Sequence, residues 1–513
     1  MEDKLSAGDL LDGTRGDARA VEFEGAAWSY AELDRRANRF AHWSRSIGLW
    51  HGDRVSLLVG NEPALVAAYF GAFRAGVIAN PVNTRLTPAE IAYVLNHAGS
   101  ACVIVSAELM PAFDATRALL DEAPQVLALA HDAAVAACDD GPVSGGRSNT
   151  GDGALLIYTS GTTGKPKGVL LTHGNVVSAA RIVARAFEMS PADRTMCVMP
   201  LFHTNALMFS HLPFLHAGAT VLLRRRFSAT TFWSDCRASR ANSASASPTI
   251  LALLLAHEAK GPPCGETGLK YIKVASAPTP VELAERFEAR FGRGLLLETF
   301  GLTETTAITT MNPLHAPRKF GSIGQVVPPQ ELRIVDDEGH ALAADRPGEI
   351  AIAGPTVMRE YFRDPENTQR ALRGRWFHSG DLARMDAEGF VFIVGRKKEM
   401  ILRGGENISP LEVEQIAQMH PSVREAAALG LPDPIWGEVV GLCVVADTPI
   451  TSDEMVAFCR GHLSAFKVPE RIAFVDALPR NAMGKVVRAR LRQAFEPAMK
   501  EDTVEAPVAG GSP

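Results

Sequence analysis

Tyr158-Thr159-Ser160-Gly161-Thr162-Thr163-Gly164-Lys165-Pro166-Lys167-Gly168-Val169 directly follows the apolar run Ala154-Leu155-Leu156-Ile157. Twelve positions hold three glycines, two lysines and four Ser/Thr hydroxyls. Glycine lets backbone N–H groups come close to an anion, hydroxyls add donors, and lysines add charge. A strand feeding such a loop is a phosphate cradle in prospect. A surface turn can have the same composition. The spacing Gly-x-x-x-x-Gly-Lys-Ser/Thr cannot be drawn through the stretch, so a Walker A loop is excluded.

The chain has 513 residues, enough for two or more domains and a large core. Hydrophobic residues make up 46% and charged residues 21%, ordinary values for a globular protein. A net charge of −6 without an arginine stripe argues against nucleic acid as partner. Seven cysteines are scattered singly, at 102, 138, 197, 236, 264, 443 and 459. With no Cys-x-x-Cys pair, neither a zinc site nor a disulfide framework is indicated, and reduced thiols are expected. The N-terminus lacks a basic region followed by an apolar core, and no run of about eighteen apolar residues occurs. The expectation is a cytoplasmic protein without a membrane span.

Apolar strand-like runs alternate with helical periodicity over most of the chain. Tyr30, Leu33, Ala37, Phe40 and Ala41 share a helical face, Arg54 to Val59 reads as a buried strand, and Ala64 to Phe73 as an apolar helix. Strands are read again at Ala101–Val105 and Thr220–Leu223. This alternation favours α/β layers with mainly parallel sheets. Near residue 325 the pattern changes to short strands with acidic turns, as at Leu332–Val335, Glu349–Ile352 and Phe390–Val394. The expected organisation is a large N-terminal α/β domain over 1–397, with a small β-rich subdomain at about 325–395. A small α+β C-terminal domain follows over 398–496, and then a flexible tail over 497–513. Ser409 and Pro410 read as N-cap and N1 of a helix in the smaller domain.

Four more clusters carry chemistry. Glu298-Thr299-Phe300-Gly301-Leu302-Thr303-Glu304-Thr305 joins an aromatic, hydroxyls and a carboxylate. Trp376-Phe377-His378-Ser379-Gly380-Asp381 reads as a carboxylate after a tight turn. Arg403-Gly404-Gly405-Glu406-Asn407 is a second glycine-rich loop, downstream of Arg396, Lys397 and Lys398. Pro479-Arg480-Asn481-Ala482-Met483-Gly484-Lys485 ends a strand-like run with a lysine. Each alone is weak, because Gly-Asp and Gly-Gly turns are mostly structural. Together with the first stretch, and in this order over residues 10–495, they resemble the motifs of the adenylate-forming superfamily. That superfamily contains acyl- and aryl-CoA ligases, luciferase and the adenylation domains of peptide synthetases, and the chain resembles the CoA ligases most.

The resemblance implies a two-step reaction. A carboxylate attacks the α-phosphate of ATP, giving acyl-AMP and pyrophosphate, and CoA then takes the acyl group. It assigns Thr159, Ser160, Gly161, Thr162, Thr163 and Lys167 to the β- and γ-phosphates, and Glu298, Thr299 and Phe300 to the nucleotide, with Phe300 stacking on adenine where the family usually has Tyr. Thr303 would reach the α-phosphate, Glu304 and Thr163 would hold Mg²⁺, and Asp381 with Arg396 would take the ribose. Lys485 would bridge carboxylate and α-phosphate as charge shifts between them. The smaller domain is mobile in the family: Lys398 stands at its hinge, Gly404 and Gly405 would line the pantetheine channel, and Lys467 would touch CoA.

Pro200-Leu201-Phe202-His203-Thr204-Asn205 matches the segment that borders the acyl pocket in CoA ligases. An Asp that pairs with an α-ammonium is absent at His203, which argues against an amino acid as substrate. Ala275-Ser276-Ala277-Pro278 departs from the glycine-rich pattern common before this proline, so extra Cβ atoms narrow the wall and a small carboxylic acid is expected. Two other readings stand beside the ligase: an adenylating enzyme that passes the group to an amine or a carrier-protein thiol, and a catalytically inactive binding relative. The resemblance is also compatible with a homodimer.

Overall fold

The computed structural model of the full chain describes residues 6–129, 133–143, 148–159, 165–257, 268–306, 308–480 and 486–495. The chain divides into two compact units. The first comprises 1–346, 350–379 and 385–392; the second comprises 347–349, 380–384 and 393–513.

The first unit is built on two large sheets. One has nine strands, in the order Gln325–Val326, Thr310–Met311, Leu296–Phe300, Tyr271–Val274, Ser243–Ala246, Arg194–Cys197, Thr220–Leu223, Arg19–Phe23 and Ala26–Ser29. Its middle strands run parallel, and the antiparallel pairs lie at the two ends. The other has seven strands, in the order Glu360–Tyr361, Lys167–Thr172, Gly153–Thr159, Ile78–Pro81, Arg54–Leu58, Ser100–Val105 and Gln125–Ala128. Helices cover both faces of such sheets, so the inner strands are continuously apolar rather than alternating. Val103, Ile104 and Val105 illustrate this, all fully buried in succession.

Local sequence explains the helices that pack on them. Ser29 caps the helix Tyr30–Ser46, accepting from the Glu32 amide at 3.2 Å. Its buried stripe is Tyr30, Leu33, Ala37, Phe40 and Ala41, the face read from periodicity. The neighbouring helix Pro63–Ala75 meets it through Gly71, where a Cβ would come within 2.6 Å of the Phe40 side chain. Only glycine permits that approach.

The second unit has its own core. A long antiparallel pair, Val423–Asp433 with Gly437–Ala446, is extended by Ile401–Arg403 and Glu406–Ile408 on one side. Arg471–Phe474 adds in parallel on the other side. Ile401, Ile408, Val413, Ala428, Leu442 and Met455 fill one face, under the helices Pro410–Gln418 and Ser452–Arg460. Leu429, Leu431, Cys443, Leu491 and Phe495 fill the other. Ser409 caps the first of these helices, accepting from the Glu412 amide, with Pro410 at its start. Arg488 ties the unit together, donating to Glu399 at 2.9 Å, to Glu414 and to the Ala428 carbonyl at 2.8 Å. Nine-tenths burial would otherwise strand the Glu414 charge.

The expected fold class is the one observed: a large α/β part with layered sheets and a small α+β part. One local reading changes. Trp376–Asp381 is not a tight turn: it lies inside the strand Trp376–Met385, and only Gly380, at φ +74°, departs from extended geometry there. The first glycine-rich stretch leads from Gly153–Thr159 into the antiparallel strand Lys167–Thr172, and the next helix starts only at His173. The six cysteines in described regions are all free thiols. Among the described residues no helix is long and apolar enough to cross a membrane. The tail at 497–513 lies outside the described residues.

Candidate active site

Thr159 pairs with Lys167 at the end of the hairpin, so the two flanks of the glycine-rich loop are held side by side. Ser160, Gly161, Thr162 and Thr163 lie outside the described residues. The Lys167 ammonium lies 4.8 Å from the centre of the Tyr361 ring, and the Tyr361 hydroxyl donates to Glu304 Oε1 at 2.8 Å. Tyr361 is placed by the short strand Glu360–Tyr361, which pairs antiparallel with the Lys167 strand. The amide of Met358 donates to the Glu304 carbonyl at 2.7 Å, fixing the turn that carries the carboxylate. Two motifs separated by more than a hundred residues thus meet through one tyrosine. Nothing in the local pattern at Tyr361 signalled that role, because an isolated aromatic on an edge strand reads as packing.

The carboxylate-bearing segment leaves the nine-stranded sheet at Phe300 and forms a 3-10 turn at Thr303–Thr305. Thr306 after it has φ +59°, unusual for a β-branched residue, and its hydroxyl donates to the Thr356 carbonyl at 2.6 Å. Thr299 donates to the Val274 carbonyl at 3.2 Å, so its hydroxyl is engaged with the sheet. Glu298 is buried. That desolvation pushes its carboxyl up to about 7, against the pull of the Thr279 hydroxyl. One of its oxygens is buried without a protein partner.

A raised carboxyl favours the native state where it is protonated. The contribution is complete below pH 4.5 and is lost as pH rises through about 7. Glu298→Gln is therefore expected to gain on the parent between pH 5 and 8, by roughly 2–3 kcal/mol at the upper end. Chemical unfolding at several pH values measures this, and a pH-independent difference would contradict it.

The acid-side residues converge on the same region. Asn205 donates from its amide nitrogen to Ser276 Oγ at 2.8 Å, and its backbone N–H donates to His203 Nδ1 at 3.1 Å. The Thr204 hydroxyl donates to that of Thr303 at 3.2 Å, joining the acyl-side segment to the Glu304 turn. Ser276 has φ +81°, a backbone state that favours glycine, so its side chain is held where the related pattern has none. Ala275 is buried beside it. A π-helix, Ala206–His211, begins directly after Asn205. Such segments are rare and are frequent at functional sites.

In the second unit, Asp381 is 4% exposed and accepts from Arg396 Nε at 2.5 Å. Glu349 braces the pair, accepting from the Gly380 amide at 3.0 Å. Lys398 lies in a turn closed by the Glu399 amide donating to the Arg396 carbonyl at 2.9 Å. Gly404 and Gly405, at φ +57° and +89°, form the two-residue turn of a hairpin, the geometry that two glycines suit best. A Cβ on Gly404 would approach the Trp436 ring to 2.9 Å. Trp436 is half exposed, beside exposed Leu402, Ile435 and Phe466, and Arg403 lies 5.4 Å from its ring centre. This aromatic surface was missed in the sequence because each residue stands alone between polar neighbours. Lys467 donates to both oxygens of Glu412, at 2.7 and 2.8 Å. Lys485 lies outside the described residues; its flanks pair, Arg480 with Val486, and the Val487 amide with the Pro479 carbonyl at 2.8 Å.

The family described as AMP-binding enzyme matches residues 12–362, and its C-terminal domain matches residues 412–485. The chain belongs to the AMP-binding enzyme family. The oxalate–CoA ligase of Arabidopsis thaliana is 35% identical over 480 residues, covering 90% of this chain and 92% of that protein. ATP-bound MatB from Rhodopseudomonas palustris superposes with a TM-score of 0.89 at 28% identity, over 96% of this chain and all of that one. An anthranilate CoA ligase in complex with anthranoyl-AMP superposes with a TM-score of 0.90 at 25% identity, over 98% of this chain and 99% of that one. The family match at 412–485 includes the second-unit segments holding Lys467 and Lys485.

Proposed function

We propose that this AMP-binding enzyme is an AMP-forming acid–thiol ligase: it activates a small carboxylic acid with ATP through acyl-AMP, releases pyrophosphate, and forms an acyl-CoA thioester. The observation that carries this reading is the linked set Lys167–Tyr361–Glu304 and Thr303–Thr204 beside Asn205–Ser276. It places a cation, a carboxylate and an acid-side wall in one unit.

In the first step an oxygen of the substrate carboxylate bonds to the α-phosphorus, and the bond to the bridging oxygen of pyrophosphate breaks. An anion must approach a polyanion, so the protein's task is electrostatic and positional. Lys167, Thr159 and the hydroxyls and amides of Ser160–Thr163 hold the departing β- and γ-phosphates. Thr303 orients the α-phosphate, Phe300 presents its ring to the adenine, and Glu298 and Thr299 shape the strand end beneath it. Asp381, paired with Arg396, accepts from the ribose hydroxyls. Lys485 brings a compact charge to the oxygens between carboxylate and α-phosphate. Glu304 suits Mg²⁺: it is a hard oxygen donor with one oxygen satisfied by Tyr361 and the other without a protein partner among the described residues. Thr163 would complete the protein ligands. Bound there, Mg²⁺ would neutralise phosphate charge.

In the second step the CoA sulfur bonds to the acyl carbon and AMP leaves. Gly404 and Gly405 provide a side-chain-free turn for the pantetheine arm, with Lys467 and the exposed Trp436 surface beside it for the nucleotide end. Lys398 is the hinge from which the smaller domain, 398–496, turns between steps. Lys398→Pro is expected to slow thioester formation at least tenfold more than adenylation, because it removes backbone freedom at that residue. Equal effects on both half-reactions, measured by pyrophosphate exchange and by thioester yield, would refute the hinge.

The wall at Ala275 and Ser276, both carrying Cβ atoms, favours a small acid over a long chain. Pyrophosphate release across a panel of acids, with and without CoA, tests the whole reading. Acid-dependent release with thioester formed from CoA supports it. Release with transfer only to an amine or a carrier thiol would replace the second step, and no release with any acid would overturn the reading.

A further inference from the structure

The helix Pro88–Ala98 is tied down at both ends. Thr87 and Glu90 form a reciprocal cap at its start, the Thr87 amide donating to Glu90 Oε2 at 2.8 Å. At its finish Arg54 donates to the carbonyls of Ala98 and Gly99, each at 2.8 Å, and Arg363 donates to that of His97 at 3.0 Å. Ile91, Ala92, Val94, Leu95 and Ala98 are buried. Tyr93 and His97, four residues apart and so on one face, stay half-buried and meet the hairpin that carries the glycine-rich stretch.

The Tyr93 hydroxyl donates to the Pro166 carbonyl at 3.1 Å. His97 Nδ1 shares a hydrogen bond of 2.8 Å with the Tyr158 hydroxyl. The two rings stack, with centres 5.7 Å apart and planes at 27°, so one contact supports the other. Pro166 directly precedes Lys167, and Tyr158 directly precedes Thr159; Thr159 and Lys167 are the last pair of the hairpin. The helix thus grips both legs of the loop, one residue from that pair. Close packing does not set the Lys167 leg on this side. Lys165, Pro166 and Lys167 border a cavity of about 210 Å³ that Tyr93, His97 and Phe362 also line.

We propose that Tyr93 and His97 are positioning residues for the phosphate-binding loop, setting where Thr159 and Lys167 stand against the departing pyrophosphate. This rests on the phosphate assignment above and adds the residues that act through it. Neither side chain needs to touch ATP. A misplacement of about 1 Å at a reacting centre costs up to about a hundredfold. Losing one neutral hydrogen bond while the loop stays folded should cost about tenfold.

The test uses the full chain with an acid the parent accepts, and the variants Tyr93→Phe, His97→Ala and His97→Asn. Acid-dependent ATP–pyrophosphate exchange reads the first step; thioester yield from supplied acyl-AMP and CoA reads a step that contains no pyrophosphate. Tyr93→Phe and His97→Ala should each lower exchange about tenfold, chiefly by raising KM for ATP and for pyrophosphate. Thioester formation should change less than about twofold, whereas a general loss of structure would lower both. Asn places an amide atom where Nδ1 stands, so His97→Asn should recover most of the loss. Unchanged exchange, equal loss of both half-reactions, or no recovery with Asn would overturn the proposal. If the parent exchanges with no acid, the acid-activating reaction falls, and calorimetric ATP binding still judges the grip on the loop. About tenfold weaker binding by Tyr93→Phe keeps it, and unchanged affinity overturns it.

Discussion

Lys485→Ala is expected to lower acyl-AMP formation about a thousandfold, the scale of removing one preorganised charge from a developing anionic centre. The carboxylate and the α-phosphate repel one another, and their shared oxygen gains charge as the P–O bond to pyrophosphate stretches. A lysine on a long stem can follow that charge, and an alanine leaves it to water. Thioester formation from supplied acyl-AMP and CoA does not pass through this centre, so it should keep most of its rate. Acid-dependent ATP–pyrophosphate exchange measures the first step, and thioester yield from acyl-AMP measures the second. Equal loss of both would remove Lys485 from the adenylation step.

Glu304→Gln should weaken ATP binding in the presence of Mg²⁺ about a hundredfold, bringing it close to the affinity measured in chelator. Gln still offers an oxygen to the Tyr361 hydroxyl, so the local hydrogen bond of 2.8 Å can persist while the charge is lost. Tyr361→Phe tests the other half of that contact: it leaves the carboxylate but frees its orientation, and about a tenfold loss is expected. Calorimetric titration with ATP, with and without Mg²⁺, separates the two. A Glu304→Gln protein that retains the full Mg²⁺-dependent gain would contradict the assignment.

The sequence motifs carried the class of fold and the order of its parts because each has a local physical cause. Burial periodicity exposed the helix Tyr30–Ser46 and the strand Ser100–Val105, and capping chemistry exposed the helix behind Ser409. Paired glycines marked a loop at Gly404 and Gly405, and the structure forms it as a hairpin turn. Misreadings arose where one glycine can serve either a turn or a strand irregularity, as at Gly380 inside Trp376–Met385. The antiparallel strand that follows the glycine-rich loop is set by pairing with distant strands, which no local pattern encodes.

Tertiary partners were the least legible. Tyr361 reaches Glu304 because of sheet order, and Thr204 reaches Thr303 across segments that follow two strands of one sheet with two other strands between them. Lys273 reads locally as an interruption of an apolar strand. Only the register with Ser245 and the carbonyl of Phe209 show what its side chain meets. Separation along the chain hides such contacts, since no local pattern encodes them.

The central claim is that this AMP-binding enzyme activates its acid as acyl-AMP. The most direct measurement incubates the full chain with ATP, CoA and an accepted acid whose carboxylate oxygens carry ¹⁸O. If acyl-AMP forms and is then taken by CoA, one AMP and one pyrophosphate appear per thioester, and one ¹⁸O is transferred from the acid to the phosphate of AMP. ADP and labelled orthophosphate in their place, or AMP free of label, would contradict the account.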